Sequence, residues 1–136
     1  MNNLNNADYK LINFKGKIHL IINNQELANV AAKLSFAKEL GFDTETRASF
    51  KVGEVYKVAL LQLSTNEEAY LIRLHGITEF EIIKNILENK DILKVGVAIR
   101  DDLKNLNKLF KFTPQNFIEL QDLAKAKGLK NFGLKG

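Results

Sequence analysis

The chain has 136 residues, 46% of them hydrophobic and 26% charged, which predicts a single soluble globular domain over residues 1–136, with 1–16 as a surface arm. It contains no cysteine, which excludes disulfides, thiolate zinc sites and a cysteine nucleophile. The net charge of +4 permits nucleic-acid binding without requiring it, and the polar N-terminus is not a signal peptide, so a cytoplasmic protein is expected.

The first half of the chain predicts one strand, one helix and three further strands. Residues 17–22 are apolar and β-branched, as in a short strand, and Asn23-Asn24 can cap the helix that follows. The buried face of that helix is predicted from its 3.6-residue period to be Leu27, Val30, Ala31 and Leu34. Residues 39–44 predict a second strand. Residues 55–64 predict a central strand covered on both faces, joined to a strand at 69–74 in an antiparallel hairpin.

The second half alternates helices and strands. Thr78 and Glu81 have the spacing of a capping box, for a helix that buries Phe80, Ile83, Ile86 and Leu87. Residues 91–99 predict a strand, and Asp101-Asp102 opens a helix. The buried positions of that helix are predicted to be Leu103, Leu106, Leu109 and Phe110. Residues 116–128 predict a short strand that runs into a helix ending at Gly128, so the fold class is a mixed α/β sheet.

Acidic residues follow two of these strands. Asp43 and Glu45, two positions apart on an extended chain, point to the same side and repel each other unless water or a cation separates them. Asp101 and Asp102 follow the strand at 91–99. If the two strands are neighbours, their carboxyl ends form a shared crevice. Oxygen-only clusters suit Mg²⁺ or Mn²⁺, and two such ions can promote a phosphoryl displacement.

Other interpretations of these acids stay open. Asp101 and Asp102 could cap a helix N-terminus, where carboxylates are favourable. Asp43 and Glu45 could form a solvated strand end. A phosphatase of the haloacid-dehalogenase type also places a nucleophilic Asp at a strand end, with a second Asp two residues later. Here that later residue is Glu45, and the chain continues into an antiparallel hairpin, so the sequence disfavours this alternative.

Four segments together resemble a known family. They are "LGFDTET" (40–46), "KVALLQLS" (57–64), "ILENKDILKVGVAIRDDLKNL" (86–106) and "NFIELQDLA" (116–124). In order and spacing they resemble the DEDD-type 3′–5′ exonuclease domain, in the branch of ribonuclease D and the Werner-syndrome exonuclease domain. The resemblance covers the chain from about residue 14 onward. It implies a ribonuclease H-like fold and two-metal hydrolysis of nucleic acid, DNA or RNA, from a 3′ end to nucleoside 5′-monophosphates.

The resemblance also implies roles for individual residues. Asp43 and Glu45 match the family's first two metal-binding acids, with Asp43 bridging the ions. The third acid of the family lies six residues after the strand glycine, here Gly96, which selects Asp102. Asp101 is left as a helix cap or a supporting group. The backbone of Thr44 would contact the substrate near its scissile end. Gln62 and Leu63 match the hairpin strand and are expected to be structural.

Basic residues after the first acids are candidates for substrate phosphates. Arg47 and Lys51, with Lys57 nearby, could contact the nucleic-acid backbone, which supplies most nonspecific affinity. A solvated basic loop is the alternative. His75 is expected to be a turn residue rather than a base.

The family's last motif, Tyr or His followed four residues later by Asp, does not occur in this chain. We therefore expect a truncated domain that lacks the C-terminal helices and is weakly active or inactive. An uncovered sheet face would favour self-association. The second hypothesis is a non-catalytic nucleic-acid-binding or assembly module with the same fold.

Overall fold

A computed structural model describes residues 16–47 and 57–122, and contains one mixed β-sheet with helices packed on it. The strands are β1 (Lys17–Ile21), β2 (Glu39–Arg47), β3 (Lys57–Ser64), β4 (Glu68–Arg73), β5 (Leu93–Gly96) and β6 (Phe117–Glu119). The helices are α1 (Asn24–Phe36), α2 (Glu81–Glu88) and α3 (Ile99–Leu109), with a 3₁₀ turn at Leu74–Gly76. The predictions for residues 1–15, for Lys51 and for a helix ending at Gly128 lie outside the described residues. None of the helices in the described part is long and apolar enough to cross a membrane.

The strand order confirms a mixed sheet of the ribonuclease H-like type. The six strands lie in the order β1-β4-β3-β2-β5-β6. The three central strands β4, β3 and β2 are antiparallel, while β1 adds to β4 in parallel and β5 and β6 continue in parallel from β2. Because β2 and β5 are parallel neighbours, their carboxyl ends lie at the same edge of the sheet.

The hydrophobic core lies on one face of the sheet. In β2, Leu40, Phe42 and Thr44 are buried and the alternate residues are more exposed, which is the two-residue period of a half-buried strand. Side chains from strands and helices complete the core, among them Leu61, Leu63, Ile72, Leu27, Leu34, Ile83, Ile86 and Leu87. The opposite face of β3 is partly exposed at Leu60, Gln62 and Ser64, so this strand is fully covered on only one face, not on both as predicted.

The start of α1 confirms the predicted cap, whereas the start of α2 does not. Asn23 Oδ1 accepts a hydrogen bond from the backbone N–H of Glu26 at 2.8 Å, as an N-cap does. The capping box at Thr78 is wrong, because α2 begins at Glu81 and Phe80 holds its N-cap position. The Thr78 hydroxyl instead accepts a hydrogen bond from the Asn24 side chain at 2.8 Å. A contact between distant segments has replaced the local one.

The boundary between β5 and α3 also differs from the prediction. The strand ends at Gly96 and the helix already begins at Ile99, because Ala98 takes a left-handed conformation (φ 54°, ψ 47°) that breaks the extended chain. Within α3, Leu106 is fully buried as predicted, but Leu109 is 42% exposed. The buried stripe starts at Ile99 and continues through Leu106, which leaves Leu109 on the flank of the helix.

Candidate active site

Strand β2 directs Asp43 and Glu45 to the sheet face opposite the core. Their neighbours Phe42 and Thr44 are 4% and 7% exposed on the core side, whereas both acids are only partly buried. Asp43 lies across from Gln62 of β3, and Glu45 across from Leu60. Side chains of directly paired residues share a face, so the two acids and Gln62 lie on one surface, as the two-residue spacing predicts.

A β-bulge ends the regular part of β2 immediately after Glu45. Glu45 pairs with Leu60, but Thr46 pairs with Val58, so Ala59 is an extra residue on β3. Bulges bend the strand and increase its twist, and they are frequent next to active sites. Asp43 and Glu45 are therefore the last acids on the regular pleat. Arg47, the final residue of β2, lies beyond the bulge.

Helix α3 places Asp101 and Asp102 in its first turn and packs against β2 and β3. Asp101 is exposed and Asp102 is partly buried. Ala98 holds the N-cap position, so the interpretation of these aspartates as N-cap residues is wrong: they lie within the first turn of the helix. Their negative charge in the first turn is still favourable to the helix dipole.

The start of α3 is instead bound by Glu119, an acid that the sequence predictions did not single out. Glu119 Oε2 accepts the N–H of Ala98 at 2.8 Å, and Oε1 accepts the N–H of Ile99 at 2.9 Å. Partial burial acts to raise the pKa of Glu119, but hydrogen bonds from the backbone N–H groups of Ala98, Ile99 and Gln121 outweigh it and lower the pKa. No local sequence pattern could have indicated this role, because the partners are 20 residues or more away.

Gln62 presents a buried acceptor beside Asp43. Its Oε1 is inaccessible to solvent and makes no hydrogen bond to any residue in the described ranges. Leaving a buried amide oxygen without a donor is unfavourable. Thr44 Oγ1 is also buried without a partner among the described residues, but Thr44 faces the core.

The chemistry of the predicted acids suits a hard divalent cation, because carboxylate oxygens are the ligands that Mg²⁺ and Mn²⁺ prefer. Within residues 16–47 and 57–122, however, no three Asp, Glu or His side chains are grouped so that they could hold a metal ion. The set Asp43, Glu45 and Asp102 thus stays a prediction, which the parallel pairing of β2 with β5 supports.

The remaining predicted site residues differ in their outcomes, and Lys51 lies outside the described residues. Thr44 has a buried side chain, so only its backbone could take the predicted part. Contacts of Arg47 and Lys51 with substrate phosphates stay a prediction. His75 is exposed within the 3₁₀ turn, in agreement with a turn residue.

A cavity of about 530 Å³ lies on the same sheet face as Asp43, toward the other end of β2. Its wall includes Gly41, Ser64 and Val95 from three neighbouring strands. A β-carbon at Gly41 would lie 2.5 Å from the Ser64 hydroxyl, so a larger residue there would require the Ser64 side chain to rotate away. Gly41 and Asp43 share a face about 7 Å apart along the strand, so the cavity approaches the predicted acids.

The family model described as 3′–5′ exonuclease matches residues 18–136. The chain belongs to the 3′–5′ exonuclease family. The exonuclease domain is 35% identical over 101 residues to the mouse bifunctional 3′–5′ exonuclease/ATP-dependent helicase WRN, covering 73% of this chain and 7% of the mouse protein. Against a putative 3′–5′ exonuclease, R431, of Acanthamoeba polyphaga mimivirus, it is 33% identical, covering 63% of this chain and 22% of the viral protein. It therefore spans a small part of these relatives.

A solved structure supports the same assignment. Escherichia coli RNase D, described as an exoribonuclease involved in structured RNA processing, superposes with a TM-score of 0.71 at 28% identity, over 79% of this chain and 28% of that one. The resemblance to the DEDD-type exonuclease domain and the predicted ribonuclease H-like fold are thereby confirmed.

Proposed function

We propose that this exonuclease domain hydrolyses nucleic-acid phosphodiesters from the 3′ end and releases nucleoside 5′-monophosphates. The observation that carries the proposal is the parallel pairing of β2 with β5. It places the beginning of β2, Glu39 to Gly41, next to the strand that leads into the helix with Asp102, so that Asp43 follows two residues after the paired segment.

Mg²⁺ or Mn²⁺ is the proposed cofactor, with Asp43, Glu45 and Asp102 as its protein ligands and two ions in the complete site. When bound, such ions lower the pKa of water and stabilise the charge on the leaving oxygen of a phosphoryl transfer. In this proposal the chain's own part is to present Asp43 and Glu45 on one face of β2 and Asp102 from the first turn of the helix that packs against that strand. In support, the EXD2 exonuclease domain, a fold neighbour with a TM-score of 0.68 and 24% identity over 83% of this chain and 60% of that one, was solved after soaking in Mn and GMP.

The test compares two acids on the same face of β2. Asp43→Asn should lower Mn²⁺-dependent release of mononucleotides from 3′-labelled RNA or DNA strands by more than about 100-fold, because loss of even a supporting group at a metal site commonly costs 10- to 100-fold. Glu39→Gln, at the opposite end of the strand and exposed, should retain activity and serves as the matched control. Circular dichroism and thermal melts would show that both variants fold.

The alternative is a module that binds nucleic acid without cutting it. The absence of a ready three-acid group in the described residues favours this alternative. Unchanged hydrolysis in Asp43→Asn would rule out the proposed mechanism. The alternative would be established if the protein bound RNA or DNA but released no mononucleotide in the presence of Mn²⁺ and bound no Mn²⁺.

Two further proposals follow from the predicted incomplete site. The sequence has no Tyr or His followed four residues later by Asp, so it supplies three of the four acids of the family pattern. We propose weak activity for this chain on its own. We also propose that it self-associates through exposed apolar residues on the sheet face that the core helices leave uncovered.

A further inference from the structure

The turn between β5 and α3 has an unusual backbone, and its N-cap side chain makes no capping hydrogen bond. Ala98 has φ 54° and ψ 47°, the left-handed region that L-residues other than glycine rarely adopt. It also holds the N-cap position of α3, yet its side chain cannot accept a hydrogen bond. Both the conformation and the first N–H groups of the helix therefore need support from elsewhere in the fold.

Glu119 supplies that support from the end of β6. Its two carboxylate oxygens accept the N–H groups of Ala98 and Ile99 separately, at 2.8 and 2.9 Å. A carboxylate at this place also interacts favourably with the positive end of the helix dipole. Because β6 pairs with β5 in parallel, Gly96 across from Glu119, the carboxylate is held directly beside the turn.

On its other side, the same turn is pressed against β2. A β-carbon at Gly96 would lie 2.6 Å from the carbonyl oxygen of Phe42 and 2.5 Å from Cγ2 of Ile99. These distances are shorter than real contacts, so only glycine permits this approach. Phe42 immediately precedes Asp43. The turn thus touches the strand that carries one predicted acid and begins the helix that carries another.

We infer that Glu119 is a positioning residue: by holding the left-handed turn at Ala98 and Ile99 against β2, it fixes the direction in which α3 starts and so the position of Asp102 relative to Asp43. This inference rests on the proposed function, in that it assumes Asp102 to be a metal ligand. Glu119 itself is occupied by backbone N–H groups and is not proposed to bind the ion.

Glu119→Gln tests the inference with almost no change in size. The amide loses one acceptor oxygen, so one of the two N–H groups should become unbound. We expect Mn²⁺ affinity, measured by titration with electron paramagnetic resonance, to fall by about 10-fold or more, and amide exchange at Ala98 and Ile99 to accelerate. Glu88→Gln is the matched control, since Glu88 also accepts a backbone N–H, that of Thr113 at 2.7 Å, but makes this bond outside the turn that begins α3.

A second variant separates positioning from general stability. Adding Ala98→Gly to Glu119→Gln removes the steric cost of the left-handed conformation, so it should restore part of the lost Mn²⁺ affinity if the turn is what Glu119 holds. The double variant also provides a folded protein should Glu119→Gln alone unfold.

The outcomes distinguish the two proposals. Wild-type Mn²⁺ affinity in Glu119→Gln, with faster exchange at the turn, would overturn the positioning role and leave the proposed function intact. No recovery in the double variant would also count against it. If the unsubstituted chain binds no Mn²⁺, and Asp43→Asn changes nothing, the proposed metal site fails and the role of Glu119 fails with it.

Discussion

At the residue scale, Lys94 shows how a charged side chain can be buried with no acidic partner among the residues that the structure describes. Its side chain is fully buried, and Nζ donates hydrogen bonds to the carbonyl oxygens of Ile86 at 3.0 Å and Asn89 at 2.8 Å. These carbonyls belong to the end of α2, where the last turn of a helix lacks internal partners. Nζ also lies 5.2 Å from the ring centroid of Phe117. Burial lowers the pKa of Lys94 to about 8.

The lowered pKa predicts how stability depends on pH. Lys94 titrates near 10.5 in the unfolded chain and near 8 in the folded one. Between these values the unfolded state binds more protons, so the free energy of unfolding should increase as pH rises from about 8 to 10. Lys94→Met should abolish this increase, whereas the exposed Lys90→Met should keep it. Urea unfolding at a series of pH values measures the effect, and an unchanged slope in Lys94→Met would contradict it.

At the element scale, the geometry of α3 separates two adjacent aspartates. Successive helical residues point about 100° apart, so Asp101 and Asp102 cannot face the same direction. Asp102 is partly buried and Asp101 is exposed. The helix packs against β2, the strand of Asp43.

We expect Asp102→Asn to lower Mn²⁺ affinity by about 10-fold or more, and Asp101→Asn to have little effect. The two variants differ by one position in the same turn and remove the same charge, so each is the control for the other in its effect on the helix dipole. Titration with Mn²⁺ measures the affinity. The reverse ranking would show that the spacing from Gly96 selects the wrong aspartate.

Elements with a strong local period could be predicted from the sequence, and elements fixed by distant contacts could not. The strand at 17–22 follows from its apolar and β-branched composition, the hairpin of β3 with β4 from two apolar runs joined by a short turn, and Asn23 from cap chemistry. Thr78 was misassigned because its hydroxyl accepts a hydrogen bond from the side chain of Asn24, which lies in α1. Glu119 has no local signal at all, since its partners lie in α3.

The same distinction applies to the candidate site, where some features have a local sequence signal and others do not. That Asp43 and Glu45 share a face follows from their spacing alone. The choice of Asp102 depended on the family resemblance, because no physical argument from the sequence pairs β2 with β5. The buried oxygen of Gln62 could not be predicted either, because the sequence indicated only a structural residue of a strand.

At the scale of the whole molecule, one edge of the sheet exposes apolar side chains. Ile18, Leu20 and Ile22, in and just after β1, are 46%, 54% and 42% exposed, whereas Ile21 on the core side is 2% exposed. The strand pairs with β4, and it ends the strand order of the sheet. An edge strand with apolar residues is a template for association with another chain.

Leu20→Lys should therefore reduce self-association, because it places a charge on this edge. Phe36→Lys is the matched control, since it adds the same charge at another exposed apolar residue, in α1. Sedimentation equilibrium over a range of concentrations gives the association constant of each variant. A chain that is monomeric throughout that range, before any substitution, would contradict the proposed association.

The strand order has a consequence for how the domain is built. The three central strands are consecutive in the chain, and only the outer strands come from elsewhere, β1 on one side and then β5 and β6 on the other. Local pairings form faster than distant ones. We therefore expect the sheet to nucleate at its middle and to grow outward, so that the strand with the first two acids is in place before the third acid arrives.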